Sequence, residues 1–218
     1  MKLYVGDELL EFSTEELKYM YINHGREAEV YRYKDEALKV YKKVVRKGRL
    51  CEEEAEELSG IKTERILMPR RMIHDYETGQ FSGYSLDFIP NASRKRIPRI
   101  RKEHFVEELD IIDRDLRVLA DNGVKIGDLH IDNILYNDNF YICDPGSFKI
   151  DKEEEHDILY ELNVRIFNWL LIGDVFRIST KEGVVKANID DTKPMGDYIR
   201  ETMLSNERIR EYSKRLRK

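Results

Sequence analysis

The spacing of apolar residues changes partway along this chain, and that change limits the folds open to it. Up to about residue 90 the apolar residues fall in short β-branched and aromatic runs; beyond it they recur every three or four positions. KYMYI (18–22), EVYRY (29–33) and EALKVY (36–41) read as strands broken by polar turns such as Lys34-Asp35. MPRRMIHDY and QFSGYSLDFI read as two more, joined at Glu77-Thr78-Gly79, with Pro90 and Asn91 closing the run. Two helical interruptions are expected. Ser13 to Glu16 has the pattern of a capping box, and CEEEAEELSGI (51–61) is rich in strong helix formers. After the seam, HFVEELDIIDRDLRVLADNG aligns Phe105, Leu109, Ile112, Leu116 and Leu119 on one helical face, with Gly123 placed as its C-terminal cap. DILYELNVRIFNWLLIG predicts another apolar-faced helix ending near Gly173, and a last helix is expected from about Asp197. The fold class is therefore α+β: a small antiparallel-sheet lobe over residues 1–90 and a minimal helical lobe over 91–218.

Composition excludes some classes and leaves others open. With 41% hydrophobic residues the 218-residue chain can bury a sizeable core, and 37% charged residues predict a densely charged surface. No apolar run approaches the roughly 20 residues a membrane span needs. MKLYVGDELL lacks the architecture of a signal peptide. Cys51 and Cys143 have neither metal-ligand nor redox-motif spacing, so reduced thiols in a cytoplasmic protein are expected. The net charge of −5 says little about partners, but two local basic runs stand out, 94–102 and 208–218.

IGDLHIDNIL (126–135) and YICDPGSF (141–148) carry the chemistry. Each sets carboxylates between apolar residues, and the first adds His130 and Asn133. ILYNDNFYICD between them reads as a hairpin turning at Asn137 to Asn139, which predicts that Asn133 and Asp144 come together. No GxSxG elbow is present, and His74, His104 and His130 lack a nucleophile partner, so a metal-free hydrolase is a poor rival. Asp128 and Asp144 as a glycosidase pair would leave the other segments unexplained.

Five segments, in order, resemble the protein-kinase-like superfamily, and within it the atypical RIO-type kinases and the aminoglycoside/choline kinase group. NHGREAEVYRY resembles the glycine-rich loop, with Asn23, Gly25, Ala28 and Val30 at the motif positions and one of three glycines kept. ALKVY resembles the strand that carries the phosphate-binding lysine, here Lys39, and the helix at 51–61 would supply its carboxylate partner, Glu54 or, as runner-up, Glu53. GYSLDFI resembles the strand leading to the hinge, with Leu86 as gatekeeper and backbone groups of Asp87, Phe88 and Ile89 facing adenine. IGDLHIDNIL resembles the catalytic loop: Asp128 would orient the acceptor hydroxyl, Asn133 would hold metal, and His130 would either stabilise the transferring phosphoryl group or order the loop. The motif's leading histidine is Ile126 here. ICDPGSF resembles the metal-binding DFG turn, with Asp144 as principal ligand and Pro145 in place of phenylalanine.

The resemblance implies a two-lobed kinase-like fold that binds ATP and Mg2+ and transfers the γ-phosphoryl group to a hydroxyl. Serine or threonine on a protein, including this one, is the expected acceptor. An aminoglycoside- or choline-type small molecule is one alternative, and a non-catalytic nucleotide-binding scaffold is the other. No APE motif follows Asp144, so a protein substrate would dock elsewhere, with the runs 94–102 and 208–218 as candidates for an acidic or ribonucleoprotein partner.

Overall fold

The structure is a computed structural model that describes residues 1–42, 49–92, 102–127, 129–171 and 192–202. It opens on a hairpin that the sequence reading does not anticipate. β1 (Lys2–Val5) and β2 (Glu8–Glu11) pair antiparallel around Gly6, whose φ of +57° suits the tight reversal. Leu3, Val5 and Leu10 alternate inward and Phe12 follows them, which is the pattern of a half-buried ribbon.

The capping box at Ser13 forms. Ser13 Oγ accepts the Glu16 amide at 3.2 Å, and the Glu16 carboxylate accepts the Ser13 amide at 2.7 Å. It starts a whole helix, α1 (Thr14–Met20), rather than a single turn. The strand expected at 18–22 is thereby corrected to β3 (Tyr21–His24), because no breaker stands between the cap and Tyr21 to stop a run of good helix formers. β4 (Ala28–Tyr33) and β5 (Glu36–Tyr41) form the next hairpin, with Lys34 at φ +56° in its turn. α2 (Glu52–Ser59) follows, then β6 (Met72–Asp75) and β7 (Phe81–Asp87). The turn between those two strands is held by Asp75, whose carboxylate accepts the amides of Glu77 and Thr78.

These strands make one seven-stranded antiparallel sheet in the order β2-β1-β6-β7-β5-β4-β3. Leu3, Val5, Leu10, Phe12, Tyr31, Leu38 and Ile73 form a core on one face. The chain therefore has a mixed α+β architecture. Two compact units divide it: residues 1–62, 67–91 and 143–147 form the sheet unit, and 63–66, 92–142 and 148–218 form the helical unit. The expected division at 90/91 did not foresee that Cys143–Ser147 belongs with the sheet and Thr63–Ile66 with the helices.

In the helical unit, α3 (Lys102–Asp121) buries Leu109, Ile112, Leu116 and Leu119 and ends at Gly123, whose φ is +69°. β8 (Val124–Lys125) pairs with β11 (Lys149–Ile150), while β9 (Ile134–Asn137) and β10 (Asn139–Ile142) form the expected hairpin, turning at Asp138. α4 (His156–Leu170) packs on α3, and α5 (Met195–Thr202) begins two residues before its expected start. The expected end of α4 near Gly173 lies outside the described residues. Among the described residues no helix is long and apolar enough to cross a membrane.

Candidate functional site

Strand register decides which side chains share a face. Val30 of β4 stands opposite Lys39 of β5, and Lys39 stands opposite Tyr84 of β7. Two steps along the same strands, Ala28 faces Tyr41, and Ala37 faces Leu86. Because side chains alternate across a sheet, Ala28, Val30, Lys39, Tyr84 and Leu86 lie on one face, opposite the core side of Leu38 and Tyr31. Four of these five are residues that the resemblance places around a nucleotide.

Lys39 is the charged centre of that face. Its ammonium donates to Asp144 Oδ1 at 2.5 Å, linking groups 105 residues apart in sequence. It also donates to Tyr84 Oη at 3.2 Å. The Asp-Pro-Gly turn brings the carboxylate there, with Pro145–Ser147 forming a 3-10 turn and the Gly146 amide donating to the same Oδ1 at 3.1 Å. Gly146 lies against this pair: a methyl group there would stand 2.9 Å from Asp144 Oδ1 and 3.0 Å from Lys39 Nζ and would push the two side-chain ends aside. Asp144 Oδ2 accepts no hydrogen bond among the described residues, and the Asp144 side chain is 42% exposed.

The partner expected for Lys39 is elsewhere. The Glu54 carboxylate accepts the Cys51 amide at 2.9 Å, closing the N-terminus of α2. Glu53 is bonded by the Cys51 thiol, which holds its carboxyl below the usual range. Glu52 meets His74 Nε2 at 2.5 Å. The expected Lys39–Glu54 pair is thus corrected to Lys39–Asp144. The orphan amide at the start of a helix lies only three residues from Glu54 and claims it first.

The remaining loop and hinge residues have clear places. Asn23 ends up in β3, and Gly25 sits in the turn to β4, where its amide donates to Ala28 O at 2.9 Å. Leu86 is buried. Asp87 pairs with Arg70 at 2.8 Å, and the Phe88 amide, among the backbone groups that the resemblance turns toward adenine, donates to Asp35 O at 2.9 Å. Ile89 is half-buried just beyond β7.

In the helical unit, Asp128 lies outside the described residues. His130 is exposed, and its carbonyl accepts the Asn133 amide at 2.8 Å in a short 3-10 turn. Asn133 is buried, and its Oδ1 has no hydrogen-bond partner among the described residues. Ile126, at the position where the resemblance places a histidine, is buried, and its amide donates to Asn163 Oδ1 at 2.9 Å. Asn163 Nδ2 in turn donates to Val124 O at 2.9 Å, so one fully buried amide clamps the backbone that leads into the 126–135 segment. The basic run 94–102, except Lys102 at the start of α3, and the run 208–218 lie outside the described residues.

Two residues that matter here are not visible in the sequence. Tyr84 borders Lys39 directly, and Asn163 holds the backbone before Asp128. Only the second leaves a signal: an asparagine on the apolar face of a helix, where a side chain amide must find buried partners.

In the sheet unit Asp144 Oδ2 keeps acceptor capacity among the described residues, and in the helical unit Asn133 Oδ1 does likewise. Among the described residues no group of three or more His, Cys, Asp or Glu side chains could hold a metal unaided. No protein-family model matches the chain, and no curated protein matches it.

Proposed function

We propose that this protein is a kinase-like phosphotransferase that uses ATP and magnesium to phosphorylate a hydroxyl, with serine or threonine on a protein as the favoured acceptor. The observation that supports it is the Lys39–Asp144 pair at 2.5 Å on the sheet face that also carries Ala28, Val30 and Leu86. A cation and a carboxylate joined across 105 residues, with carboxylate capacity to spare, fit a site for a triphosphate and its counterion better than a purely structural bridge.

In this reading Lys39 neutralises phosphate oxygens, Leu86 borders the base, and Ala28, being small, lets the loop backbone approach the phosphates. Asp128 accepts the hydrogen bond of the attacking hydroxyl and orients it. Asp144 contributes an oxygen to magnesium, which when bound neutralises charge on the phosphates. His130 is exposed and available either to the transferring group or to the loop.

A second reading is a non-catalytic nucleotide-binding scaffold. It is favoured by the absence of a carboxylate on α2 paired with Lys39.

Incubation with radiolabelled ATP and magnesium separates the two readings. Transfer to the chain itself or to a generic protein acceptor is expected, abolished in Asp128→Asn and Asp144→Asn. Lys39→Met should cost about 3 kcal/mol of transition-state stabilisation, a loss of the size seen when one preorganised electrostatic donor is removed. Thermal stabilisation by nucleotide without transfer to any acceptor would favour the scaffold. Near-normal turnover in Lys39→Met would refute the placement of the phosphates. Transfer stimulated only by an amino sugar or an amino alcohol would move the acceptor to a small molecule.

A further inference from the structure

Lys39 lacks the carboxylate partner on α2 that the kinase-like resemblance assigns to it, yet it has a second anchor. Tyr84 lies directly across the ladder from it, 0% exposed, and its hydroxyl accepts from the ammonium at 3.2 Å. The ammonium also stands 5.4 Å from the centroid of the Tyr84 ring, within the range where a cation is drawn to an aromatic face. The backbone holds this arrangement closely. Gly83, at φ +146°, brings β7 so near β5 that a methyl group there would lie 2.0 Å from Lys39 O. Tyr41 packs edge-on against Tyr84, with ring centroids 6.1 Å apart.

We propose that Tyr84 is the positioning residue for Lys39, a neutral hydroxyl doing the task for which the resemblance implies a glutamate. The inference rests on the phosphotransferase reading for its purpose, but its geometry stands on the sheet alone. The physical consequence is one of charge. A glutamate anchor would add a second negative charge to a lysine already paired with Asp144, whereas a phenol directs the ammonium without adding charge. Asp144 then becomes the single carboxylate bonded to Lys39 among the described residues. Burial holds the Tyr84 phenol well above its usual value, and the neighbouring Asp144 charge adds to the effect, so the anchor stays neutral wherever the protein is folded and active.

Quantitative peptide mass spectrometry of Lys39 after brief treatment with an amine-directed acylating reagent tests this without nucleotide or metal. Tyr84→Phe keeps the ring and its packing and removes only the acceptor oxygen. Lys39 labelling should rise at least about threefold in that variant, for the loss of one hydrogen bond from a charged donor. Tyr41→Phe, which removes the hydroxyl of the adjoining half-buried ring but no Lys39 bond, should leave labelling at the native level. Mg-ATP affinity, read by calorimetry, should fall about tenfold in Tyr84→Phe, the size of one charge-assisted bond. Equal Lys39 labelling in Tyr84→Phe and native protein would overturn the proposal, whatever the protein does with ATP. Raised labelling in a protein that binds no nucleotide would keep Tyr84 as the anchor and remove the phosphotransferase reading.

Discussion

The two units each hold a polar cluster built on carboxylates, and these clusters differ in how much bonding capacity is left over. In the helical unit Asp115 accepts the amides of Glu64, Arg65 and Ile66, the shortest at 2.6 Å. Glu108 accepts both Nε and Nη2 of Arg65, at 2.8 and 3.0 Å, and the Phe140 amide at 2.9 Å. Both carboxylates are buried, and they fix the segment 63–66 and the strand β10 against α3. In the sheet unit, Asp144 spends one oxygen on Lys39 and Gly146 and keeps the other uncommitted among the described residues. Saturated carboxylates hold a shape. An unsaturated one, half in solvent beside a lysine, is available to a ligand, and this separates the candidate site from the structural clusters more clearly than burial does.

The sharpest way to break the comparison is to remove a saturated carboxylate. Glu108→Ala strands the Arg65 guanidinium, whose side chain is 15% exposed, and leaves the Phe140 amide unpaired, for an expected loss of about 4 kcal/mol in unfolding free energy. Asp115→Ala orphans three backbone amides and should cost about 3 kcal/mol. Urea unfolding measures both. A loss below about 1 kcal/mol in either would mean that saturation does not mark the structural carboxylates.

Asp144→Asn supplies the other side. The amide keeps an oxygen for Gly146 and Lys39, and the side chain is 42% exposed, so solvent screens much of the lost charge. The expected change in unfolding free energy is within about 1 kcal/mol, although phosphoryl transfer should disappear. A destabilisation matching that of Glu108→Ala would put Asp144 among the structural groups and undercut the functional reading.

How far the sequence reveals these clusters follows from the range of the forces that build them. The period change, the β4–β5 and β9–β10 hairpins, α2, α3 and Gly123 are legible because local periodicity and turn chemistry determine them. The β1–β2 hairpin is present in the alternation of Leu3, Val5 and Leu10, but a ribbon this short declares itself only once β6 pairs with it. Lys39 and Asp144 are legible as motif residues, while their direct pairing is not. Counting along α2 indicates a face for Glu54 but cannot show that the Cys51 amide will claim it. Tyr84 is hidden for another reason. Its place opposite Lys39 depends on strand register, which a bulge between Ile73 and His74 shifts on the neighbouring ladder. Asp115 looks like one more charge on an amphipathic helix until the segment 63–66 turns its amides toward it.

The smallest expected effect concerns pH and separates the units again. Burial raises the phenols of Tyr31, to about 12, and of Tyr41 and Tyr84 in the sheet unit; in the helical unit it raises Tyr160 and, to a lesser extent, Tyr136. A phenol kept neutral by the fold binds its proton more tightly there than in the unfolded chain. Its contribution to stability is therefore complete below the unfolded value near 10 and is lost as pH rises through that value toward the folded one. Removing one such phenol removes its share of the alkaline loss. Tyr84→Phe should be less stable than the native protein at pH 7 by about 1 kcal/mol, for the missing bond to Lys39. The deficit should shrink, and then reverse, as the pH of the unfolding experiment passes about 10, since only the native unfolded chain then gains by ionising that residue. Tyr160→Phe in the helical unit also removes a raised phenol and should follow the same trend, but without any change in Lys39 labelling. A Tyr84→Phe deficit that stays constant from neutral to strongly alkaline pH would mean that the phenol is not confined to its neutral form, and the neutral anchor would lose its physical basis.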